Sequence, residues 1–228
     1  MDLGVQQPSQ ALPTATLDRI EYVTHCGNLL CHDGDHSIGP RCRSVCDPPR
    51  VSELAVVSVP QDRLDDLQPV WRALYEHHTA LTPHLRDREV PFEQAWQSRR
   101  EIERGWFASE PDSFVLAAQD SGGYVGYAFV RVRPGAGFGA SWRASDPLAE
   151  LAILVVLPEV RGQGVGSMLL DAVEAKLREL GIEDMIIGVI TTNTEAIRLY
   201  ERRGAVPFLT QFIHRVHPGH DQSPGCRS

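Results

Sequence analysis

The chain has 228 residues, 42% of them hydrophobic and 23% charged, which is globular composition with material for one sizeable core. A net charge of −8 argues against a duplex nucleic-acid binder, which needs a basic face. No apolar run nears the ~18–20 residues of a membrane span, and MDLGVQQPSQ lacks the basic start and apolar stretch of a signal peptide, so the expected location is cytoplasmic.

Residues 1–50 are rich in Gly, Pro, Ser, Asp and His and carry no sustained apolar period. They read as a disordered extension that closes on Cys-Asp-Pro-Pro-Arg, with a boundary near Val51 and the option that natural translation begins there. Four of the five cysteines, Cys26, Cys31, Cys42 and Cys46, lie here. Their C-x4-C and C-x3-C spacing departs from the tighter, regular spacing of zinc ribbons, so no metal site is assigned. The long middle of the chain has no cysteine and cannot rest on disulfides.

From Val51 the pattern sharpens. Val51–Val59 is rich in β-branched residues and predicts a strand. Asp62–Leu81 places Leu64, Leu67, Val70, Trp71, Leu74 and Leu81 at helical spacing, with Pro69 expected to kink or divide the helix. Pro91–Ala108 predicts a second helix with Phe92, Trp96, Ile102 and Trp106 on one side. Ser113–Asp120 and Tyr124–Arg133, joined through Gly122-Gly123, predict a hairpin. Pro134–Pro147 reads as a Gly-rich loop, and Leu148–Leu157 as an apolar strand buried on both faces.

Arg161–Gly166 is a glycine turn and Ser167–Leu180 an amphipathic helix ended by Gly181. Met185–Ile190 predicts a buried strand, Asn193–Gly204 a short helix, Val206–Val216 a last strand, and residues 218–228 a flexible tail. The order is β-α-α-β-β-β-α-β-α-β. It specifies one α/β domain, residues 51–217, whose mixed sheet is antiparallel early and parallel around the helix at Ser167.

The glycine turn carries chemistry. A helix N-terminus offers unpaired N–H groups and partial positive charge, and glycines before it let a ligand approach without meeting a Cβ. Strand, glycine turn and helix together make an anion site suited to phosphate, and Arg161 adds a fixed charge. A P-loop is excluded because no lysine follows Gly166. The dinucleotide fingerprint fits poorly: the glycines run Gly162-x-Gly164-x-Gly166, and the next strand ends in Thr191-Thr192-Asn193 rather than an acid.

Arg161-x-x-Gly164-x-Gly166, opening a helix after a strand, resembles the pyrophosphate motif of the GNAT N-acetyltransferases. Asn193–Ala205, NTEAIRLYERRGA, is similar to that family's second signature, N-x-x-A-x-x-L-Y-x-x-x-G. The resemblance covers Val51 to about Val216 and implies a partly splayed sheet flanked by helices, with acetyl-CoA as co-substrate. Its pyrophosphate would lie on the backbone from Gly162, Gln163 and Gly164 through Val165, Gly166 and Ser167, beside Arg161. Its pantetheine arm would run along Leu154, Val155 and Val156 as an added strand.

The resemblance also makes Asn193 a pantetheine contact, although helix capping alone accounts for an asparagine there. Tyr200 becomes the general acid for the departing thiolate, and a core tyrosine is the plain structural reading. Glu150, the one carboxylate in an apolar strand, is the candidate general base; an ion pair is its plain reading. A backbone N–H near Val156 would stabilise the oxyanion of a direct transfer in a ternary complex. The acceptor is an amine, on a small molecule or a protein, over the two early helices, the 134–147 loop and the last strand. His77, His78 and His84 could line it, and lone exposed histidines are their plain reading. The expected assembly is a monomer or homodimer with no nucleic-acid or membrane partner. A non-catalytic acyl-CoA-binding or sensor module is the competing class.

Overall fold

A computed structural model describes residues 54–135 and 143–214. Backbone contacts divide the chain into two compact units, Met1–Thr192 and Asn193–Ser228. The elements of the first are β1 (Ala55–Ser58), α1 (Gln68–Leu81), α2 (Phe92–Ser109), β2 (Phe114–Asp120), β3 (Gly123–Arg133), β4 (Leu148–Val156), α3 (Val165–Glu179) and β5 (Met185–Ile187). The second contains α4 (Thr194–Arg202).

The expected division at Pro69 is present. A 3-10 segment, Gln61–Leu67, runs up to α1, and Pro69 lies in the first turn of α1, where its missing N–H costs no hydrogen bond. Pro91 stands one position outside α2, at its N-cap, rather than within the first turn. The hairpin between β2 and β3 is closed by Asp120, whose Oδ1 accepts from the Gly122 and Gly123 amides at 2.7 and 2.9 Å.

The sheet order is β1-β2-β3-β4-β5. The first four strands pair antiparallel, and β4 and β5 pair parallel across the α3 crossover, as the sequence pattern predicts. One face of the sheet packs Tyr127, Phe129, Ile153 and Val155 against Val70, Trp71 and Trp96 of α1 and α2. The other packs Ala118 and Val125 against Val165, Leu169 and Ala172 of α3. Alternation along β4 therefore feeds two cores, which explains its nearly continuous apolar sequence.

Two expectations fail on burial. Ile102 is exposed, whereas Arg100 and Glu103 are buried on α2. Arg100 donates to Glu103 and to Asp65, both at 2.7 Å, so the charges enter the core already paired. The last strand, expected over Val206–Val216, is not formed over 206–214, the part of it that lies within the described residues. Residues 205–214 have no strand assignment, and Val206 and Phe212 are 81% and 90% exposed. Strand propensity alone does not make a strand without a neighbour to pair with. The first-fifty cysteines and part of the 134–147 loop lie outside the described residues. Among the described residues no cluster of His, Cys, Asp and Glu could hold a metal ion, and no helix is long and apolar enough to cross a membrane.

Candidate active site

The two halves of β4 have different neighbours. Ala149, Glu150 and Leu151 pair with Met185, Ile186 and Ile187, and there β5 ends. From Ile153 to Val156 the strand keeps its β3 partners but has no β5 partner, and Ala152 is the bulged residue between the two halves. The sheet thus splays at its β4–β5 seam. The Leu157 amide donates to the Val125 carbonyl at 2.8 Å. By strand alternation the main-chain groups of Val155 face β3, and those of Leu154 and Val156 face the open edge. That edge has no strand partner, and apart from the Val156 carbonyl, which Arg161 holds, its main-chain groups form a template for an extended partner.

The glycine turn follows directly. Gly162 and Gly164 have φ of +74° and +88°, left-handed values that a residue with a Cβ adopts at a cost. Gly164 is the N-cap of α3, and its carbonyl accepts the first helical hydrogen bond, from Met168 at 3.0 Å. α3 therefore begins at Val165, two residues earlier than the sequence pattern suggests, and Gly166 lies inside its first turn. The amides of Val165, Gly166 and Ser167 precede the helical ladder and point along its positive end. A Cβ built on Gly162 or Gly164 would meet no protein atom within 4 Å, so space, not packing, surrounds the turn.

Arg161 is exposed, and its Nε donates to the Val156 carbonyl at 3.0 Å. It ties the turn to the open end of β4. The Gln163 side chain donates to the Glu159 carbonyl at 3.3 Å, which tightens the same turn.

Glu150 lies on the α2 face of the sheet among charges. Its Oε2 is 3.2 Å from Arg131 Nη1 and 3.1 Å from Arg133 Nε. Arg131 also binds Glu110 just beyond the end of α2. That hydrogen bond, with the neighbouring carboxylates, raises the Arg131 pKa and keeps its charge fixed. Reading the sequence missed Arg131, Arg133 and Glu110. The register supplies the signal, since Arg131 stands directly opposite Glu150. On α1, desolvation, then His77 and Arg99, lower the pKa of His78, a residue that is exposed overall.

In the second unit, the Asn193 side chain accepts from the Ala196 amide at 3.2 Å and caps α4. Tyr200 is partly buried on α4, and burial pushes its phenol up to about 12. It remains protonated through the neutral range and is a hydrogen-bond donor there.

Residues 71–205 match the model of the Acetyltransferase (GNAT) family. The chain belongs to the GNAT acetyltransferase family. Among curated relatives it is 31% identical over 143 residues to a mycothiol acetyltransferase of Propionibacterium freudenreichii subsp. shermanii, covering 63% of this chain and 40% of that protein. It is 36% identical over 109 residues to a mycothiol acetyltransferase of Acidothermus cellulolyticus, covering 46% and 32%. The chain thus spans less than half the length of these relatives. Two solved structures share the fold. AAC(6')-Iy in complex with the bisubstrate analogue CoA-S-monomethyl-acetylneamine aligns over 72% of this chain and 98% of that one, with TM-score 0.51 and 18% identity. An acetyltransferase of Pyrococcus furiosus, itself described as putative, aligns over 72% and 100%, with TM-score 0.54 and 16% identity. The mixed, partly splayed sheet flanked by helices is therefore the GNAT fold.

Proposed function

We propose that the chain transfers an acetyl group from acetyl-CoA to an amine by direct attack in a ternary complex. The observation that carries this reading is the juxtaposition of an open strand edge, residues 152–156 of β4, with the glycine-capped start of α3. A CoA thioester needs both parts: an edge that pairs with its amide-bearing arm, and an N–H cluster for its pyrophosphate. Leu154 and Val156 would supply main-chain groups to the arm, while Val155 serves the ladder to β3. Val165, Gly166 and Ser167 would donate to the pyrophosphate, with Gly162, Gln163 and Gly164 shaping its approach. Arg161 would leave the Val156 carbonyl, freeing it for the arm, and meet the phosphate charge.

In the transfer the amine nitrogen bonds to the thioester carbon as its proton passes to the Glu150 carboxylate, directly or through a water. The C–S bond then breaks and the electron pair leaves on sulfur. The Val156 amide faces the open edge and is suited to hold the oxyanion. The sequence likeness of Asn193–Ala205 to the family's second signature is what assigns the Tyr200 hydroxyl to the thiolate as a hydrogen-bond donor. A phenol at about 12 is a weaker acid than a thiol near 8.5, so the hydroxyl stabilises the thiolate and solvent supplies its final proton. Asn193 caps the start of α4, and the same signature in the sequence assigns it to the arm.

The acceptor is proposed to be a small-molecule amine, the class to which the names of the curated relatives point. The test is an acceptor panel of thiol-bearing amines, aminoglycosides, polyamines and lysine peptides, read by released CoA. Acetyl-CoA-dependent release with one class is expected. Tight acetyl-CoA binding without release on any amine would favour the non-catalytic sensor.

A further inference from the structure

This inference rests on the reading of Glu150 as the group that meets the amine. Glu150 stands on the middle rung of the β4–β5 pairing, two residues before the sheet opens at Ala152. Its partner across the sheet, Arg131, has almost no freedom. Arg131 Nε donates to Glu110 Oε2 at 2.9 Å and Nη2 to Glu110 Oε1 at 2.5 Å, a bidentate fork. The Trp106 ring lies 4.4 Å from its guanidinium carbon, and that ring is itself fixed edge-on to buried Phe129. The remaining nitrogen, Nη1, donates to Glu150 Oε2 at 3.2 Å.

Arg133 differs. Its Nε is 3.1 Å from the same Oε2, yet it is buried without a hydrogen-bond partner because the angle is poor. Arg133 supplies charge but no direction. Both arginine contacts fall on Oε2, and the Glu150 side chain retains 27% exposure.

We propose that Arg131 is a positioning residue. Anchored to Glu110 at the end of α2 and stacked on Trp106, it grips Oε2 of Glu150 and so presents Oε1 to the acceptor amine. The fork carries the position of α2 to the carboxylate. A carboxylate held by one oxygen keeps the other at a fixed point, which the proton transfer requires.

The test is a mutant cycle on the full chain with an accepted amine. Arg131→Gln and Glu110→Gln are each expected to lower kcat 10- to 100-fold, with the Kd for acetyl-CoA within twofold of wild type. Arg131→Lys keeps the charge but not the fork, and should recover only part of the loss. Arg131→Gln combined with Glu150→Gln should be no slower than Glu150→Gln alone, because both changes act on one step. Additive losses, or wild-type kcat in Glu110→Gln, would overturn the positioning role. Glu110→Gln is the milder change if Arg131→Gln unfolds. Wild-type kcat in Glu150→Gln would remove the Glu150 reading itself, which separates the two failures.

Discussion

The two halves of β4 are nearly alike in sequence, LAEL against AILVV, and opposite in what they offer. The first half is enclosed by strands on both sides and holds a carboxylate among arginines. The second has a strand partner on one side only and turns main chain, its Val156 carbonyl held by Arg161, toward an open edge beside a helix start. The difference comes from the neighbour, since β5 is three residues long and ends opposite Leu151. One strand can therefore carry side-chain chemistry at one end and main-chain recognition at the other.

That contrast can be broken from either end. The largest effect is expected at the enclosed half: Glu150→Gln should lower kcat by 10²- to 10³-fold with acetyl-CoA affinity unchanged, measured by steady-state rates and calorimetry. At the open half, Val156→Pro removes an N–H that faces the edge and spares the β3 ladder. It should lower kcat about 10²-fold while the protein stays folded. The neighbouring change Val155→Pro breaks a ladder bond and a buried contact, and should unfold the domain in a thermal melt. Equal outcomes for the two proline variants would show that the alternation has been read wrongly.

The glycine turn gives a smaller effect. Gly164→Ala meets no protein atom but must hold φ at +88°. It should lower stability by about 1–2 kcal/mol and weaken acetyl-CoA about tenfold, more than the stability change alone would do to a folded protein. Tyr200→Phe is the mildest, with kcat down about tenfold. Its pH signature is separate. The phenol is raised from 10.0 to about 12, so the native state holds its proton more tightly than the unfolded chain does. The stabilisation is full below pH 10 and is lost as pH rises through 12, worth at most about 2–3 kcal/mol. Stability curves of wild type and Tyr200→Phe between pH 9 and 12 should differ in that window.

Features written in local sequence were legible. Gly162 and Gly164 announce positive φ, Asn193 announces a cap, and the apolar run at 148–157 announces a strand between two layers. Features that depend on distant neighbours were not. The Arg131–Glu110–Glu150 network joins residues about 20 positions apart through register. Arg100 and Glu103 are buried because they pair, where apolar period alone favoured Ile102. The early start of α3 reflects Gly164, rather than Gly166, taking the N-cap. The segment after α4 has strand composition but forms no strand within 205–214, because pairing partners are not encoded in propensity.

The central claim is that the open half of β4 and the start of α3 receive acetyl-CoA. Amide resonances of 15N-labelled protein titrated with acetyl-CoA test it directly. Leu154, Val156, Val165, Gly166 and Ser167 should shift and gain protection from exchange, while Ala149 and Leu151 on the β5-paired rungs stay nearly unmoved. Saturable binding that leaves those five amides unchanged would contradict the account.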